Sequence, residues 1–88
     1  GVPAWERGYH FDDTKRHFDF AWPAQHVAAE VNGEAVHGHW GKQREDAQKR
    51  NDAQALGWVV LTFTGRMIRS DPLGCVEQVK RALEGTRL

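Results

Sequence analysis

Two carboxylates in the segment 17–33, HFDFAWPAQHVAAEVNG, have the spacing of groups that act together. Each lies in a short run of apolar residues that reads as a strand. In HFDFAW the period-2 rule puts Phe18, Phe20 and Trp22 on one face and Asp19 on the other. In VAAEV, Val27, Ala29 and Val31 share a face and Glu30 points away from it. Neighbouring strands would then present Asp19 and Glu30 on one side of a sheet, close enough to share a cation. Carboxylate pairs so placed hold Mg²⁺ beside a phosphate. Exposed charges alternating along an antiparallel sheet are also routine, so the rest of the chain has to decide between the two readings.

The elements that would position these groups follow from local patterns. Tyr9 to Phe11 is a short strand, and Asp12-Asp13-Thr14-Lys15 supplies the turn of a hairpin into Arg16 to Trp22. Pro23 ends that strand, because it has no N–H for a ladder. His26 to Val31 is the next strand, closed by Asn32-Gly33, a pair suited to positive φ. Residues 33–42 are rich in Gly and His and read as a loop. Gln43 to Leu56 is a helix of good formers with Gly57 at its C′ position, and Ala53 and Leu56 are its deeper contacts. Trp58 to Thr64 is apolar nearly throughout, as a strand covered on both faces would be. Residues 65–72 read as a connector. Asp71 caps a last helix that starts at Pro72 and buries Val76, Val79 and Leu83. A helix between the third and fourth strands allows parallel pairing there. The fold class is therefore α/β, a mixed central β-sheet flanked by helices in the order hairpin–β–α–β–α.

Composition narrows the classes of partner. At 88 residues the chain reads as a single domain, and four Trp and four Phe offset its small size by burying large areas. Its one cysteine, Cys75, excludes an internal disulfide, which favours an intracellular location. No apolar run approaches the roughly 20 residues of a membrane span. Formal charge balances at zero, so the chain is no basic cloak for DNA. Charge balance still permits contact with phosphates, because an acidic metal site can be rimmed by grouped basic residues.

Asp19 followed by Glu30-Val31-Asn32 resembles the signature of the PD-(D/E)XK nuclease superfamily. The likeness continues through HFDFAWP (17–23), AAEVNG (28–33), HGHWGKQR (37–44), DAQKRNDAQ (46–54) and LGWVVLTFT (56–64). Together these resemble small bacterial and phage members, including Holliday-junction resolvases and relatives of very-short-patch repair endonucleases. The resemblance implies a restriction-endonuclease-like fold and a phosphodiesterase dependent on Mg²⁺ or Mn²⁺. It makes Asp19 and Glu30 side-chain ligands and the Val31 carbonyl a backbone ligand. The metal would acidify a water, polarise the scissile phosphate and steady the leaving oxygen. This sequence departs from the signature at its third position, where Asn32 can hydrogen-bond but carries no charge. Lys49, one helix further on, is the candidate to supply the missing lysine, with Lys42 second.

The loop residues His37, His39 and Trp40, with Lys42 and Arg44 beyond them, are candidates to touch DNA. Structural zinc is not expected, because no Cys or third His stands at zinc spacing from His37 and His39. His17 shares the expected carboxylate face with Asp19, and Glu6 is a candidate for a further acidic ligand. The resemblance implies DNA as substrate, with four-way junctions favoured because so small a chain has little room to read sequence. A two-fold homodimer would cut two symmetric strands. The alternatives are a nicking repair or restriction-type endonuclease and a binding module that has lost activity. A cytoplasmic setting in a bacterium or phage-infected host follows from the same likeness.

Overall fold

Small residues at the centre of the sheet let helices approach it from both sides. Ala28 and Ala29 are neighbours on one strand, face opposite ways, and are both buried. A computed structural model describes residues 4–32 and 40–85, with side chains over 4–31 and 44–85. The elements are β1 (Glu6–His10), β2 (His17–Trp22), a 3₁₀ turn (Pro23–Gln25), β3 (Val27–Asn32), α1 (Trp40–Ala55), β4 (Val59–Thr64), α2 (Gly65–Ser70) and α3 (Pro72–Gly85). The sheet order is β1-β2-β3-β4. The β1–β2 and β2–β3 pairs are antiparallel, and β4 runs parallel to β3 after the α1 crossover. The α/β mixed sheet flanked by helices is therefore as the sequence predicts.

Each face of the sheet has its own apolar cluster. On the α1 side are Phe18, Ala21, Ala28, Ala53 and Trp58, with Tyr9, Phe11 and Val60 packed against them. On the other side are Trp22, Val27, Ala29, Phe63 and Leu83, joined by Phe20, Met67, Cys75 and Val79. Trp58 anchors the first cluster, touching the rings of Tyr9, Phe18 and His26 at centroid separations of 5.5, 5.5 and 5.0 Å. It is placed there by the end of α1. The Gly57 amide donates to Gln54 O and the Trp58 amide to Ala53 O, both at 3.0 Å. Those two bonds are the Schellman pattern, with Gly57 at C′ and φ +91°.

Phe18 corrects the simple alternation. It packs on the α1 side, whereas Phe20 and Trp22 pack toward α3. The change of side falls at Asp19, and the residue across from it on β1 is Gly8, whose φ is +61°. A left-handed glycine lets β1 turn over with β2, and so the period-2 rule fails at one step.

Other expectations shift for identifiable reasons. β1 lies at Glu6–His10 rather than Tyr9 to Phe11. α1 begins at Trp40, so residues 40–42 belong to its first turn, where a Gly costs only about 1 kcal/mol of propensity. The 65–72 connector contains α2, capped by Thr64 Oγ1, which accepts the Met67 amide at 3.1 Å. Asp71 caps α3 as expected, accepting the Gly74 amide at 3.0 Å. Leu56 and Val76 are exposed instead of deep, because the Ala53 and Leu83 turns make the contacts.

Candidate functional site at a fork in the sheet

The site is where β2 and β3 part. Their paired positions run from Trp22↔Val27 to Phe20↔Ala29. Beyond that point β2 stays with β1 as far as His10↔His17, and β3 stays with β4 as far as Asn32↔Thr64. Asp19 and Glu30 are the first residues past the last pair, one on each arm of the fork. Side chains there make the bonds that a ladder would otherwise make.

Asp19 reaches across the fork, and its Oδ2 accepts the Val31 amide at 2.7 Å. Glu30 is buried, 5 % exposed, and its Oε1 forms an ion pair with Lys49 Nζ from α1. The same ammonium donates to the His17 carbonyl on β2 at 3.1 Å and stands 5.8 Å from the centre of the Phe18 ring. Lys49 thus joins the two arms, touching β2 through a backbone oxygen and β3 through a carboxylate. A buried carboxylate is costly to leave unpaired, and Lys49 supplies the partner.

Beside the fork is an open cleft of about 430 Å³, lined by Arg7, Gly8, His17, Asp19, Phe20 and Val31. Asp19 therefore serves both the fork and the cleft. Its second oxygen, the Glu30 carboxylate, the Val31 carbonyl and water are all hard oxygen donors of the kind Mg²⁺ takes, and Mg²⁺ keeps several of its waters. Among the described residues no three His, Cys, Asp or Glu side chains come together as a metal site. The donor chemistry fits a cation held by one or two carboxylates. Lys49 already neutralises Glu30, so a cation there has to share or displace that ammonium.

The remaining candidates fall at different places. Asn32 closes β3 opposite Thr64 on β4. Arg44 is exposed on α1. His37 and His39 lie outside the described residues, as do the side chains of Asn32, Trp40 and Lys42. Glu6 is exposed on β1, paired with Ala21 at the end of β2 away from the fork. Arg7 and Gly8, which line the cleft, carry no motif of their own. The only trace of them in the sequence is a basic residue beside a glycine near a candidate strand.

A second polar cluster ties the hairpin turn to α1. The two Nη atoms of Arg16 each reach a carboxylate at 2.7 Å, Asp12 in the turn and Asp52 on the helix. Gln48 Nε2 donates to the other oxygen of Asp52 at 2.8 Å. The Thr14 hydroxyl and amide, with Arg16 beside them, hold the Asp12 carboxyl below its ordinary value. Arg16, then Gln48, do the same for Asp52. This network fixes where α1, and so Lys49, stands relative to β2.

No helix among the described residues is long and apolar enough to cross a membrane. Compared with protein-family models, curated proteins and solved structures, the chain finds no match.

Proposed function

We propose that this protein is a metal-dependent DNA endonuclease of the PD-(D/E)XK kind, hydrolysing phosphodiester bonds with Mg²⁺ or Mn²⁺. The observation that carries the reading is the meeting of Lys49 with Glu30 at the β2–β3 fork, next to Asp19. The sequence has Asn32 where the signature has lysine, and the helix delivers an ammonium to the neighbouring carboxylate. Asp19, Glu30 and the Val31 carbonyl would hold the cation, which supplies Lewis acidity toward water and phosphate when bound. Lys49 would donate to a phosphate oxygen and offset its growing negative charge. Asp19 keeps its orientation through the Val31 amide, and burial keeps Glu30 in one position. Four-way junctions are the favoured substrate, cut by a homodimer in a cytoplasmic setting. A nicking repair or restriction-type enzyme is the neighbouring choice.

The same ion pair favours one other reading. If Lys49 holds Glu30 too firmly to release it to a cation, the fold binds DNA without cutting it. The test is cleavage of a labelled four-way junction and a matched linear duplex with Mg²⁺ or Mn²⁺, comparing wild type with Asp19→Asn, Glu30→Gln and Lys49→Met. The nuclease reading expects cutting by wild type and a loss of at least about a hundredfold in each variant. Asp19→Asn retains an oxygen for the Val31 amide, so its loss of activity is not a loss of fold. Junction-selective cutting supports the resolvase assignment, and equal cutting of the duplex discards it. Binding without cutting, unchanged by Asp19→Asn, would replace the enzyme with the binding module.

A further inference from the structure

The cleft beside the fork carries more than a carboxylate. Arg7 stands opposite Phe20 in the β1–β2 register, and both line the cleft with His17. Among the described residues no carboxylate pairs with Arg7, whereas Arg16 has two. At the rim, Trp5 meets Phe20 edge to face with centroids 5.6 Å apart, yet the indole is 53 % exposed. A half-exposed tryptophan at the rim is therefore followed along the strand pair by a guanidinium with no carboxylate partner among the described residues, then by Asp19, and then by the His17 imidazole.

A ligand matching that order has a flat π-face at one end and an anion next to it. We propose that the cleft seats one unpaired nucleotide of a DNA strand, with its base on Trp5 and its phosphate on Arg7, leading toward Asp19 and His17. This rests on the nucleic-acid reading above and adds to it the form of the substrate: a strand with an unstacked base beside the fork. Base-on-aromatic stacking is tolerant of sequence. A guanidinium forks onto phosphate oxygens in a fixed geometry, which sets the direction of the strand. A base still paired within a duplex has no free face to offer Trp5, so the site selects for frayed, flapped or junction-exposed nucleotides.

The test is metal-free binding, which keeps it separate from cleavage. Fluorescence anisotropy in EDTA would follow a labelled oligothymidylate, the same strand with abasic sites, and a blunt duplex. Trp5→Ala and Arg7→Ala are each expected to weaken oligothymidylate binding by about tenfold, with Lys80→Ala on α3 as an unchanged control. Trp5→Ala should leave duplex binding intact and make no further difference on the abasic strand. Circular dichroism would check folding, and Arg7→Gln would replace Arg7→Ala if the latter loosened β1. Oligothymidylate binding indifferent to Trp5→Ala, or duplex binding weakened as much, would overturn the proposal. Duplex binding by wild type with none to oligothymidylate would overturn this site and leave the nuclease reading standing. Absence of binding to every DNA would overturn this site, and the cleavage assay with Mg²⁺ or Mn²⁺ would decide the nuclease reading separately.

Discussion

Lys49 and Glu30 answer each other's burial, with side chains 17 % and 6 % exposed. Removing one partner of a buried pair leaves a charge without compensation, at a cost of about 3–5 kcal/mol. Lys49→Met is expected to lower stability in urea unfolding by about 3 kcal/mol. Adding Glu30→Gln should recover most of that loss, so the two changes will be strongly non-additive. An additive result would mean that the pair does not form. Strand periodicity singled out Asp19 and Glu30 as carboxylates on neighbouring strands, whereas Lys49 was singled out only through the likeness to the nuclease signature, and the structure puts Lys49 against Glu30. Arg7 was not legible, because its place beside Asp19 depends on a β1–β2 register that no local signal specifies. The face of Phe18 was missed for a related reason, since the switch at Gly8 lies on the partner strand.

Between elements, Arg16 links the β1–β2 turn to α1, and its effect is readable through pH. Asp12 and Asp52 are both held below the 3.8 of a free aspartate by hydrogen bonds. A carboxyl with a depressed folded pKa stabilises the fold above its unfolded value, and that contribution is lost as pH falls through the folded pKa. Thermal melts of wild type should therefore decline as pH falls below about 4. Arg16→Ala should show a lower Tm at pH 6 and a flatter acid limb. Parallel acid limbs for the two proteins would refute the linkage. The elements themselves were mostly legible, because hairpin turn residues, Gly57 at C′ and Asp71-Pro72 are local signals. α2 was not, since it is six residues long and begins with glycine, and its cap rests on Thr64 at a strand end.

For the whole molecule, stability depends on two thin cores separated by the sheet. Phe18 is fully buried and holds the α1-side cluster together, stacking on Phe11 at 4.7 Å and touching Trp58. Phe-to-Ala changes in cores cost about 3–5 kcal/mol. A chain of this length has a total near 4–13 kcal/mol, at roughly 0.05–0.15 kcal/mol per residue. Phe18→Ala is thus expected to lower Tm by about 15 °C or more, or to leave the chain unfolded at room temperature. Leu56→Ala, at a position 57 % exposed, should change stability by less than about 0.5 kcal/mol. Comparable losses from both would mean that Phe18 is not the keystone of its cluster.

Gly8 has a bearing on how copies of this chain meet. β1 is an edge strand, and a straight edge with free backbone groups is a template on which other strands can add. The left-handed residue in the middle of β1 bends that row of donors and acceptors out of line, and exposed Glu6, Arg7 and His10 put charge along it. That makes this edge a poorer template for a second copy than a straight strand would be. The residue that turns the strand over beside Asp19 thus also interrupts the edge of the sheet on the β1 side.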